Sequence, residues 1–117
     1  AVKRKASKVI GIDHDTVELA IAQEIKDILN YPIELIHDKV EDYDSERFDI
    51  VLMLNIVHVL DNPQQIIEKY LSVTKELLVI EYRPGHEALF PHSPDKHFDS
   101  PRSAGYRKLA LFEVLQD

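Results

Sequence analysis

The chain contains no cysteine and only three glycines in 117 residues. The absence of cysteine removes disulfides, thiolate zinc sites and a cysteine nucleophile from consideration. Gly11, Gly85 and Gly105 are too far apart to build a phosphate loop or a glycine-rich dinucleotide fingerprint, which counts against a self-sufficient nucleotide enzyme. Positive charge is also scarce, with 14 Lys and Arg against 21 Asp and Glu for a net charge of −7. Such a balance opposes a dominant nucleic-acid-binding face. No apolar run approaches the roughly 20 residues a membrane helix requires, and no secretory signal is visible. A cytoplasmic setting is expected.

What remains is an ordinary globular composition, 44% hydrophobic and 30% charged, sized for one domain with a real core over residues 1–117. The stretch around which the chain is organised is Phe48 to Pro63, FDIVLMLNIVHVLDNP. Its apolar run from Ile50 to Leu54 has the character of a strand buried on both faces, hence a parallel strand in an α/β sheet. Asn55 to Asp61 then forms the loop at its carboxyl end, the edge where open α/β sheets bind ligands.

The flanking segments repeat this grammar. Lys8 to Asp13 reads as a buried strand ending in an acid, and Asp15 with Glu18 has the form of a capping box. Val17, Ala20, Ile21, Ile25, Ile28 and Leu29 recur at helical spacing, predicting an amphipathic helix that ends near Asn30. Ile33 to His37 alternates like a strand near a sheet edge, and Asp38 to Arg47 is a polar connection with a short helical turn around Val40 to Tyr43. Asn62 as N-cap with Pro63 at the first helical position starts a second helix running to about Thr74, with Ile66, Ile67, Tyr70 and Leu71 inward. Leu77 to Tyr82 is another buried strand, stopped at Arg83-Pro84-Gly85. His86 to Arg102 reads as a long loop, and Lys108 to Leu115 as a last strand, antiparallel at an edge. The alternation implies an α/β fold with a mainly parallel sheet and flanking helices.

Few residues stand out chemically. Asp13, ending its strand, has the placement of an acid that accepts ribose hydroxyls, and equally that of a local cap. Asn55 offers both a donor and an acceptor at the ligand edge, and His58 can move a proton near neutral pH; strand-end satisfaction and simple packing are the plainer roles. His86, His92 and His97 with Glu87, Asp95 and Asp99 carry ligand atoms, but their spacing fits no regular metal motif and no metal is expected. A cover on the substrate side is the better expectation for that loop.

At these residues the chain resembles the class I S-adenosylmethionine-dependent methyltransferases. VIGIDHD is similar to the family's second strand and its acidic end, FDIVLMLNIVHVLDNP to its fourth strand and following loop, LLVIEYRPG to its fifth strand, and SAGYRKLALFEVL to its late segment. The resemblance implies a Rossmann-like, truncated methyltransferase-like domain with S-adenosylmethionine as cofactor. It assigns Asp13 to the ribose, with His14 beside the adenosine, and places Asp38, Val40 and Glu41 near the adenine. Asn55 would face the methionine part, and His58 the substrate side. The family's first strand and glycine-rich loop are expected before Val9, where AVKRKASK contains neither. The resemblance therefore implies a piece of a longer chain or a sheet completed by a protein partner or a second copy. The competing expectation is a non-catalytic module that binds a protein partner through an exposed sheet edge. The methyl acceptor is unspecified.

Overall fold

The computed structural model describes residues 6–101 and 105–114. They form two compact units, one extending to Asp44 and the other starting at Ser45. Among the described residues no helix is long and apolar enough to cross a membrane.

In the first unit, β1 (Val9–Asp13) and β2 (Ile33–His37) pair in parallel, with Val9 opposite Ile33 and Asp13 opposite His37. Helix α1 (Thr16–Leu29) connects them, the crossover that a parallel pair requires. The Asp15 side chain accepts from the N–H groups of Val17 and Glu18, as its spacing from the apolar stripe predicts. Asn30 ends the helix at φ 53°, a left-handed conformation that asparagine tolerates well, and its N–H closes on the Lys26 carbonyl. Gly11 allows close packing: a Cβ there would stand 3.1 Å from Leu35 Cδ2, which would have to shift by a few tenths of an ångström. The turn expected after β2 is present, with the Asp42 and Tyr43 N–H groups donating to the Lys39 carbonyl.

In the second unit four strands are ordered β3-β4-β6-β5, comprising β3 (Phe48–Leu54), β4 (Thr74–Tyr82), β5 (Lys96–Asp99) and β6 (Lys108–Glu113). β3 and β4 are parallel, while β6 runs antiparallel to both β4 and β5. Helix α2 (Pro63–Ser72) joins β3 to β4 and lies against β4. Cross-strand neighbours share a face, so Met53, Ile80 and Ala110 line one side together with Leu78 and Phe112. That side is buried, and α2 adds Ile66, Ile67 and Tyr70 to the core. Phe90 meets Tyr82 and Phe112 edge-on at 5.1 and 5.6 Å, the arrangement aromatic quadrupoles favour.

Several expectations change. The strand expected to be buried on both faces is buried on one: Ile50, Leu52 and Leu54 stay 55, 53 and 46% exposed. An apolar run identifies a strand but not which faces find a cover. β4 starts three residues earlier than expected, at Thr74, whose hydroxyl donates to the Tyr70 carbonyl and anchors the chain as α2 ends. Asn62 makes no side-chain cap; its amide donates instead to Gln65 Oε1 at 2.8 Å. The stretch expected to be a loop contains a 3-10 turn at His86–Leu89 and the edge strand β5. β6 is antiparallel as expected but lies inside the sheet, because β5 takes the edge position. Leu115, in the predicted last strand, is outside the described residues.

Candidate functional site

The parallel pair of the first unit ends on a cluster of acids. β1 and β2 stop together at Asp13 and His37, and the Asp38 N–H donates to the Asp13 carbonyl at 3.1 Å. Asp13, His14, Asp38 and the turn holding Val40 and Glu41 are thus assembled at one end of this unit. Asp13 Oδ1 accepts the Asp15 N–H at 3.0 Å, so the local-cap role is real. The side chain nevertheless remains 42% exposed, leaving its second oxygen available for a ligand hydroxyl. His14 Nδ1 lies 4.0 Å from Asp13, and the His14 carbonyl is 3.0 Å from His37 Nε2. Asp38 Oδ1 accepts the Lys39 N–H at 2.8 Å and holds the following turn.

The second unit assembles a different set at the carboxyl ends of its parallel strands. Asn55 follows β3 at φ 59°, its N–H donating to the Glu81 carbonyl and its Oδ1 accepting from Arg107. As at Asn30, the left-handed conformation is one that asparagine adopts readily, and here it turns the chain at the strand end. His58 lies in the 3-10 turn Val57–Val59, and its ring stacks near-parallel on His86, 6.0 Å between centroids and 19° between planes. Gly85, at φ 94°, makes the turn that brings His86 back, with the His86 N–H donating to the Arg83 carbonyl.

The buried Tyr82 hydroxyl has the Glu87 carboxylate beside it, while Nδ1 of His58 and of His86 are buried without a hydrogen-bond partner among the described residues. Such groups are rare enough to require an explanation, and a ligand-facing role is one of them. Burial holds the His58 pKa below its ordinary value, reinforced by the positive charges of Arg83, His86 and Arg107. Burial and the nearby Glu87 carboxylate push the Tyr82 hydroxyl upward. His58 therefore favours its neutral form, able to accept a proton.

Of the residues expected from sequence, Asp13, His14, Asp38, Val40 and Glu41 gather in the first unit, and Asn55 and His58 in the second. Sequence reasoning missed Arg83, Arg107 and the pairing of His86 with His58. Arg107 reaches Asn55 across 52 positions only because β6 runs back along β4, placing Lys108 opposite Tyr82. Among the described residues no three His, Asp or Glu side chains form a metal-holding group.

Parallel strands with helical crossovers and polar residues at their carboxyl ends define a Rossmann-like α/β domain. The chain belongs to the methyltransferase domain family, whose model matches residues 1–77. No curated protein matches the sequence. Among solved structures, the plantazolicin methyltransferase BpumL in complex with SAH is similar with a TM-score of 0.58 and 19% identity, over 65% of this chain and 30% of its own. An rRNA methylase from Streptococcus thermophilus gives 0.68 and 16% over 93% and 75%, respectively. Protein PH0226 from Pyrococcus horikoshii gives 0.70 and 14% over 91% and 71%. At these identities the likeness is one of fold. The chain spans about three tenths of the plantazolicin enzyme.

Proposed function

We propose that this chain carries the adenosine-binding and acceptor-facing parts of an S-adenosylmethionine-dependent methyltransferase. The observation that carries this reading is the family match over residues 1–77, which includes both the Asp13 strand and the Asn55 loop. Bound S-adenosylmethionine supplies an electrophilic methyl on a sulfonium, which a nucleophile takes while the C–S electron pair stays on sulfur. The rate then depends mostly on alignment, so the protein's task is positioning. Asp13 has the chemistry for the ribose: a partly exposed carboxylate with one oxygen already fixed by the Asp15 N–H. His14 and the turn of Asp38, Val40 and Glu41 would flank the base, Asn55 the methionine part, and neutral His58 the acceptor.

The strand and loop needed to complete the pocket would come from a further segment or a second chain. Support comes from the outer edge of β3, unpaired among the described strands and flanked by the exposed Ile50, Leu52 and Leu54. The same edge favours the second reading, a non-catalytic module that pairs with a partner strand. A cytoplasmic setting belongs to either reading and fits the absence of cysteine.

Calorimetric titration with S-adenosylhomocysteine separates the readings. Binding is expected, and Asp13→Asn should weaken it by about tenfold, the equivalent of one lost charge-assisted hydrogen bond. No heat with millimolar ligand, together with self-association by sedimentation, would favour the module. Unchanged affinity in the variant would remove the ribose assignment.

A further inference from the structure

The carboxyl end of the second unit's parallel strands brings Arg83, Arg107, His58 and His86 together in a chain whose net charge is −7. Arg83 and His86 belong to one tight turn, fixed by the 3.1 Å hydrogen bond between the His86 N–H and the Arg83 carbonyl. That turn brings His86 onto His58, and Arg107 arrives from β6 to hold Asn55, three positions before His58. The partner of Arg107 is a neutral amide, so its charge is not cancelled there. The Arg83 side chain is exposed and makes no hydrogen bond or ion pair among the described residues. Two acids, Glu81 and Glu87, lie at the same end with partners of their own and keep their negative charge: Glu81 accepts from the Ser100 hydroxyl at 2.9 Å, and Glu87 acts on Tyr82.

From this geometry we propose that the methyl acceptor carries an anionic oxygen group, a carboxylate or a phosphate, that is bound by Arg83 and His86 beside His58. The assignment rests on the methyltransferase reading for the word acceptor; the anion site itself does not. A guanidinium fork matches two oxygens of either group, and charge-assisted hydrogen bonds are about twice as strong as neutral ones. After burial, the charges that lower the His58 pKa are those of Arg83, His86 and Arg107. A bound anion reverses that field and raises the proton affinity of the same imidazole. Docking the acceptor would thus make His58 a better proton acceptor when a nucleophile is next to it. The methionine carboxylate of the cofactor has the same chemistry and is the rival source of the oxygens.

The test uses the 117-residue chain with labelled histidine rings. Inorganic phosphate is titrated at constant ionic strength while the imidazole resonances are followed by NMR. Saturable shifts of His58 and His86 are expected, with no such shifts from chloride. Arg83→Gln should weaken phosphate by about tenfold, and Lys96→Gln, on β5, should leave it unchanged. Shifts that do not saturate, or that persist unaltered in Arg83→Gln, would overturn the site. Adding S-adenosylhomocysteine assigns the source. Phosphate binding that survives supports an acceptor group. Displacement by S-adenosylhomocysteine but not by 5'-methylthioadenosine, which lacks the amino acid, gives the oxygens to the cofactor and overturns the acceptor assignment. Phosphate binding without any binding of S-adenosylhomocysteine retains the anion site and removes the methyltransferase reading.

Discussion

The two units spend their apolar residues differently. No described residue up to Asp44 is buried, and the helix there exposes Val17, Ile21, Ile25, Ile28 and Leu29 at 66, 49, 49, 76 and 51%. Beyond Ser45, Val57, Ile67, Leu78, Ile80, Tyr82 and Ala110 are all fully buried. Both units have regular strands and a well-formed helix, so hydrogen-bonded secondary structure and a packed core are separate achievements. Buried apolar area, not backbone bonding, dominates folding free energy. The second unit should therefore hold most of the chain's stability, and the first should open at lower free energy.

The largest expected effect tests this directly. Ile67→Ala removes a fully buried side chain from α2 and should cost about 2 to 5 kcal/mol in urea unfolding followed by circular dichroism. Ile25→Ala, at a half-exposed position on α1, should cost less than about 1 kcal/mol, because little transfer energy is lost and alanine is the better helix former. If the two substitutions cost the same, the α1 stripe is covered in solution, by a partner or another segment, and the contrast between the units disappears.

A smaller effect compares the two helix starts. Asp15→Ala removes a cap that accepts two N–H groups at 2.8 and 3.2 Å and should destabilise the first unit by about 1 kcal/mol. Asn62→Ala removes a side chain that bonds Gln65 instead of the backbone and should cost only a few tenths of a kcal/mol. Amide exchange of each helix, measured separately, reads both. A larger loss at Asn62 would mean that its amide turns to the backbone in solution.

These pairs also indicate how much was legible from residue order. Asp15 was readable because a cap is local, and so was the α1 stripe, because period alone defines it. The helical periodicity of Ile66, Ile67 and Tyr70 gave their inward face, but nothing in Ile50, Leu52 and Leu54 told that their side of the sheet stays open. The position of β5 was hidden because Lys96–Asp99 is exposed throughout, and an edge strand needs no apolar alternation. At the site, Asn55 and His58 were visible as polar breaks in an apolar run. Arg107 was not, and His86 was visible only as a histidine of the following loop, since their roles here arise from an antiparallel return and a glycine turn distant in sequence.

The smallest effect asks whether the burial of the second unit reaches the carboxyl end of its parallel strands. His58 has a folded pKa below its ordinary value of 6.5, first through burial and then through Arg83, His86 and Arg107. Between that depressed pKa and 6.5 the unfolded chain binds the proton more readily than the folded chain. Stability from this residue is thus complete above the ordinary value and falls as pH drops through the window below it. Urea unfolding of the parent and of His58→Asn at about pH 7 and about pH 5.5 should show a steeper acid loss in the parent, the other histidines cancelling in the difference. The gap should be modest, because the ring is only partly buried and solvent screens the neighbouring charges. Parallel losses in the two proteins would mean that the His58 pocket admits water freely. A parent whose acid loss shrinks in phosphate would instead show the anion raising the folded pKa, so one measurement connects the burial contrast to the charge of the bound group.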